Sequence, residues 1–192
     1  MQAETIRVRR WSRREYERLV DQGFFRPDER LELIEGHLLV KEPQGTPHVT
    51  AVALVSEALR VAFGPGWFVR PQFPVALGDW SEPEPDVCVV PGSPRDYLSG
   101  HPARPVLVVE VAATRLQFDR KRKASVYARA GVADYWILNL AGRVLEVHRE
   151  PAAPATPGRR WSYRSAQILG VNDHVSPIAA PAARVAVADL LP

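Results

Sequence analysis

The chain has 192 residues, 46% of them hydrophobic and 24% charged, which suits a globular domain with a sizeable core. Its formal net charge of +3 admits a nucleic-acid partner without requiring one. A single cysteine, Cys88, excludes an intrachain disulfide and a cysteine-built metal site, and no apolar run reaches the length of a transmembrane helix.

In chain order, Ser12-Arg13-Arg14-Glu15 has capping-box spacing and predicts a helix over 13–21, closed by Asp21-Gln22-Gly23. Leu31–Glu35 and His37–Glu42 read as two strands around a tight turn at Gly36. Alternation sets Leu31, Leu33 and Glu35 on one side of the first strand and Glu32 and Ile34 on the other. Val52, Val55, Leu59 and Phe63 recur at helical spacing, so a helix is expected from Pro47 or His48 to Phe63, ended by Gly64-Pro65-Gly66. Trp67–Val69 and Phe73–Leu77 look extended, with prolines marking an edge or a bulge.

Asp86–Val90 and Val106–Val111 are valine-rich runs that fit strands buried on both faces in the middle of a sheet. Helical spacing returns over 117–130, with Gly131 as C-cap, and Tyr135–Leu140 and Val144–His148 read as further strands. Residues 150–160 read as a loop and Trp161–Ile168 as a strand, followed by an apolar tail, Val185–Leu191. The whole, residues 1–192, is expected to be a single domain: N-terminal helix and hairpin over 10–42, core over 47–149, C-terminal extension over 160–192. No apolar segment of the secretory kind follows the N-terminal arginines, so the expected location is cytoplasmic.

Asp86 and Glu110 carry the chemistry. Each belongs to a strand whose other residues are made for burial, where a lone carboxylate is disfavoured unless it is paired or metal-bound. Neighbouring strands lie about 4.8 Å apart, so carboxylates at matching heights can share one divalent ion. Oxygen ligands in small number suit Mg²⁺, which keeps waters and takes a substrate phosphate. The plainer alternative sets Asp86 at a surface strand start and pairs Glu110 with an arginine. Asp119, Lys123 and Tyr127, at i, i+4 and i+8, lie along one side of a helix. They are either a surface Asp–Lys pair beside a half-buried tyrosine, or a row that leans Lys123 toward the carboxylates to stabilise phosphate charge. Lys121 points about 200° away from Lys123 on an ideal helix. Only Lys41, Lys121 and Lys123 are lysines among the 25 basic residues, so two within one helical turn stand out. Cys88 is expected to be a buried, inert thiol, and the tryptophans to be packing residues.

Taken as an ordered set, Glu32-Leu33-Ile34-Glu35-Gly36, His48, Pro83-Glu84-Pro85-Asp86, Val108-Val109-Glu110-Val111, Asp119 with Lys123 and Tyr127, and Gly131–Ile137 resemble the Uma family of endonucleases. That family is part of the PD-(D/E)xK restriction-endonuclease-like superfamily. The resemblance implies an α/β, restriction-endonuclease-like three-layer fold with a central mixed β-sheet flanked by α-helices. It also implies Mg²⁺- (or Mn²⁺-) dependent phosphodiester hydrolysis in DNA. Asp86 and Glu110 match the metal ligands, Glu32 an acidic residue from the N-terminal part, and Lys123 a helix lysine that replaces the superfamily's usual one. The usual lysine position, two residues after the Glu, is Ala112 here, and the family commonly has serine there. Glu84 is a reserve ligand, and His48 at a helix start contacts phosphate or water, or is simply a helix-end histidine. Nucleases of this superfamily often act as homodimers; no stretch of this chain marks an interface. The competing expectation, which Ala112 favours, is a catalytically inactive nuclease-fold module that binds nucleic acid or a protein partner. A metal-dependent hydrolase of smaller phosphoesters is a third.

Overall fold

The computed structural model of the chain describes residues 8–192; the part of the expected domain before residue 8 lies outside the described residues. Helix α1 (Arg13–Asp21) begins where the capping box predicts. The Ser12 hydroxyl accepts from the Glu15 N–H, and the Glu15 carboxylate accepts from the Ser12 N–H at 2.9 Å, so two otherwise orphaned donors are satisfied. Strands β1 (Leu31–Ile34) and β2 (His37–Val40) form a hairpin whose turn residues, Glu35 and Gly36, both have positive φ (51° and 82°). That is the twist-compatible geometry of a two-residue hairpin loop. The alternation holds: Leu31 and Leu33 pack with Tyr16 of α1, while Ile34 joins the core against the main sheet and Glu32 is buried. Glu35 is a correction, because the turn takes it out of the Leu31–Leu33 face.

Helix α2 (Thr46–Phe63) starts one residue before Pro47, close to the expected position, with Gly45 as N-cap and Pro47 in its first turn. Then come β3 (Trp67–Pro71), β4 (Val87–Pro91) and β5 (Leu107–Ala112). A helical rod follows, in three parts: α3 (Leu116–Phe118), a π turn (Asp119–Lys123) and α4 (Ala124–Arg129). Strands β6 (Asp134–Asn139), β7 (Val144–Ala152) and β8 (Ser162–Leu169) complete the main sheet. A short pair, β9 (His174–Val175) and β10 (Val185–Ala186), precedes a 3₁₀ turn at Val187–Leu190. Two sequence expectations change. Phe73–Leu77 forms no strand: Pro74 lacks a ladder donor, and Val75 and Leu77 donate instead to the carbonyls of Pro83 and Ser81. The loop expected from residue 150 starts later, because Pro151 and Ala152 still pair with Tyr163 and Ser162.

The main sheet has the order β3-β4-β5-β6-β7-β8, and only β5–β6 is parallel, so the sheet is mixed. The rod from Leu116 to Arg129 is the crossover that a parallel pair demands. Strand alternation divides the core in two. Val87, Val89, Leu107, Val109, Val111, Trp136 and Leu138 face α2 and the C-terminal tail, while Cys88, Val108, Ala112, Tyr135 and Ile137 face α4 and the hairpin. The result is an α/β three-layer arrangement. The C-terminal tail is part of it: Val187 and Leu190 are fully buried against the α2 side. Leu190→Ala is expected to cost about 3 kcal/mol by removing buried methyl groups and leaving a cavity. Urea denaturation checks this, and an unchanged midpoint would show the tail to be dispensable.

Candidate active site

Val87 pairs with Val109 in the antiparallel β4–β5 ladder, so one step further along it Asp86 stands opposite Glu110. Both are buried, and so are Glu32, Asp119 and Lys123. Glu110 Oε1 accepts from Lys123 Nζ at 3.0 Å and from the Tyr127 hydroxyl at 2.6 Å. Lys123 Nζ also lies 3.5 Å from Glu32 Oε2, and that oxygen accepts from the Glu84 N–H at 3.3 Å. Asp86 Oδ2 accepts from the Val111 N–H at 2.8 Å and lies 3.2 Å from His48 Nε2. All of these groups but Tyr127, which lies behind Glu110, line a cavity of about 210 Å³, rimmed by Lys41, Gln44, Thr114 and Arg115.

The π turn explains how one helix supplies both Lys123 and Tyr127. In an α-helix, residues four apart overshoot a full turn by about 40°, and a row at i, i+4, i+8 drifts round the rod. Here the Ala124 N–H reaches back five residues to the Asp119 carbonyl, and the wider turn offsets that drift. Asp119, Lys123 and Tyr127 therefore face the sheet together, all buried.

One ammonium sits among four carboxylates, and the electrostatics follow from that imbalance. Burial pushes the Glu110 carboxyl up to about 8, with Asp86, Asp119 and Glu32 adding to the rise against the pull of Lys123. Burial likewise raises Asp119 to about 6, again opposed by Lys123. Burial works against the Lys123 ammonium, but the surrounding Glu110, Glu32, Asp119 and Asp86 outweigh it and hold it above its ordinary value. Asp86 goes the other way: burial favours its neutral form, yet the His48 hydrogen bond and charge, Lys123 and the Val111 N–H together bring it below the usual range. A proton retained on Glu110 thus relieves the surplus negative charge.

The donor set suits a small, hard cation. Among the described residues no protein hydrogen bond uses Asp86 Oδ1 or Glu110 Oε2, so each carboxylate has an oxygen to offer. No group of three or more His, Cys, Asp and Glu among them is arranged to enclose a metal ion. Two carboxylates without a closed cage are what Mg²⁺ accepts, since it retains several waters.

Of the residues singled out in the sequence, Asp86, Glu110, Glu32, Lys123, Tyr127, Asp119 and His48 are brought together. The surface Asp119–Lys123 pair is not formed, because Lys123 turns inward to Glu110 and Glu32. Glu84 lines the cavity, but its carboxylate is taken by Lys41 at 3.1 Å. Lys121 is exposed, so the two lysines of the site are Lys41 and Lys123 rather than the neighbouring pair. Lys41 escaped sequence reasoning because it lies at the end of a hairpin whose docking only the tertiary fold shows; its rarity among so many arginines was the available signal. Cys88 is buried and pushed up to about 12 by that burial, as an inert thiol should be. Trp136 is fully buried, whereas Trp80 is exposed beneath Arg10.

The fold is similar to the crystal structure, at 1.96 Å, of "a putative nuclease belonging to DUF820" from Anabaena variabilis ATCC 29413. The TM-score is 0.68 at 17% identity, over 92% of this chain and 95% of that one. No curated protein matches the sequence. Among the described residues no helix is long and apolar enough to cross a membrane. The model of the Uma2 family, described as "putative restriction endonuclease", matches residues 13–183, and the chain belongs to that family.

Proposed function

We propose that the chain is an endonuclease that hydrolyses phosphodiester bonds in DNA with the help of Mg²⁺ or Mn²⁺. The observation that carries this reading is a buried lysine, held 3.0 Å from one of two cross-strand carboxylates, in a cavity open to a substrate. A divalent ion on Asp86 and Glu110 would polarise the phosphate and make a bound water a stronger nucleophile. The protein's own part is positional and electrostatic. Lys123 offers a fixed positive charge to the oxygens on which negative charge grows, and Glu110 and Glu32 keep its amine in place. Tyr127 and His48 aim the two carboxylates by holding one oxygen of each. Lys41 and Arg115, at the rim, are placed to take neighbouring phosphates.

The competing reading, a nuclease-fold module without activity, has Ala112 in its favour. Ala112 is buried in the core beneath α4, so the sheet provides no amine and Lys123 is the sole lysine beside Glu110 among the described residues. Asp86→Asn separates the two. It keeps the shape and removes a metal-binding charge, and plasmid cleavage in Mg²⁺ or Mn²⁺ is expected to fall at least a hundredfold. Undiminished cleavage by a folded Asp86→Asn protein rules out this site. An inert wild-type chain that binds neither ion favours the module.

A further inference from the structure

Four guanidinium groups converge on the turn of the β1–β2 hairpin. Arg160 Nη1 and Arg122 Nε lie 3.0 and 3.1 Å from Glu35 Oε2, and Arg129 Nη1 lies 3.7 Å from Oε1. Arg10 Nε donates to the Glu35 carbonyl at 2.9 Å, and its guanidinium lies over the Trp80 ring, 4.7 Å from the centroid. Gly36 makes room for it: a Cβ there would stand 2.8 Å from that of Arg10. The four arginines come from separate places: the segment before α1, the π turn, α4 and the loop before β8. Among the described residues Glu35 is the one carboxylate within ion-pair distance of Arg122, Arg129 and Arg160. One negative charge cannot neutralise four positive ones, and Arg129 and Arg160 remain 41% and 53% exposed. A turn needs one arginine to hold its carboxylate. Like charges gathered beyond that number repel one another unless a polyanion lies across them.

We propose that this patch is a second phosphate-binding site, outside the cleft, which grips the nucleic-acid backbone; the inference rests on the nuclease reading given above. The hairpin sets the spacing. Lys41, at the cleft, follows the last residue of β2, and Glu35 and Gly36 form its opposite end. Five steps of strand, from Gly36 to Lys41, at about 3.3 Å each separate the two by roughly 16 Å. The patch can therefore meet phosphates a few nucleotides away from those taken at the cleft rim. The guanidinium fork suits phosphate oxygens, and such contacts fix register without reading sequence.

The test compares wild type with an Arg129→Ala/Arg160→Ala double variant, both at exposed positions outside the cleft. Binding to a fluorescently labelled 20-base-pair DNA duplex is followed by anisotropy in EDTA across a salt series. Cleavage in Mg²⁺ is then measured on that duplex and on duplexes trimmed stepwise on either side of the cut. The double variant is expected to bind about tenfold more weakly, with a salt slope shallower by about two. It should cleave like wild type once the duplex is trimmed too short on the patch side to reach the arginines. A control lacking Arg60 and Arg95, exposed elsewhere, should keep both affinity and slope. Unchanged affinity and slope in the double variant, or an equal loss in the control, overturns the patch and leaves the nuclease intact. A wild-type chain that neither binds nor cuts nucleic acid overturns both.

Discussion

Lys123→Met is expected to lower metal-dependent cleavage by a factor of about 10² to 10³, the usual cost of removing one preorganised group that stabilises charge in the transition state. Methionine keeps most of the aliphatic stem that packs between α4 and the sheet, so loss of the amine rather than loss of packing is measured. The carboxylates left behind can take up protons, and circular dichroism should show an intact fold. The change should fall on kcat more than on KM, because the interaction strengthens as charge develops on the phosphate. A matching Tyr127→Phe change would leave Lys123 in place and loosen only Glu110, with a smaller effect. Full activity in Lys123→Met would move the positive charge of the site to another residue, with Lys41 and Arg115 the candidates at the rim.

Glu110→Gln should separate chemistry from stability. The Glu110 carboxyl rises from an ordinary 4.5 to about 8, first because it is buried. Between those values the folded chain holds a proton that the unfolded chain has released, so metal-free stability falls as pH rises through that window. Asp119, raised to about 6, adds a decline of the same sign over the lower part. Glutamine mimics the protonated form at every pH. Glu110→Gln is therefore expected to match wild type near pH 4.5 and to exceed it by several kcal/mol at pH 8.5 in EDTA, while losing cleavage. Glu82, away from the cavity, provides the control. Burial, with Glu17 and Glu84 adding and Arg13 opposing, raises it to about 8, and its Oε2 accepts no hydrogen bond among the described residues. Glu82→Gln should give a similar gain at pH 8.5 and keep activity. Urea unfolding at the two pH values decides the matter, and curves for Glu110→Gln that parallel wild type at both would remove the electrostatic account.

Local rules were legible in the sequence wherever a single segment decides the outcome. The Ser12–Glu15 capping box, the glycine in the hairpin turn and the doubly buried valine strands all form as their chemistry dictates. Asp86 and Glu110 stood out because a carboxylate in a valine run contradicts its surroundings, and the ladder sets them opposite each other. What could not be read depends on contacts between distant segments. Lys41 reaches Glu84 across 43 residues, and His48 reaches Asp86 across 38. The π turn was equally hidden, since a regular helix and one with a widened turn present nearly the same apolar spacing. Proline misled in proportion to its context: at Pro47 it marks a helix start, and at Pro74 it prevents a strand.

The parallel pairing of β5 with β6 bears on the order in which the protein is made. Because the two strands run the same way, the chain must cross back between them, and that crossover carries Lys123. A nascent chain therefore exposes Glu32, His48, Asp86 and Glu110 before its lysine has been synthesised. The crossover can dock fully only after β6 and β8 have emerged, because Tyr135, Ile137 and Tyr163 belong to the face on which it packs. On the nuclease reading proposed above, a chain cut short before the last strands carries the carboxylates and Lys123 but lacks the face that holds them together.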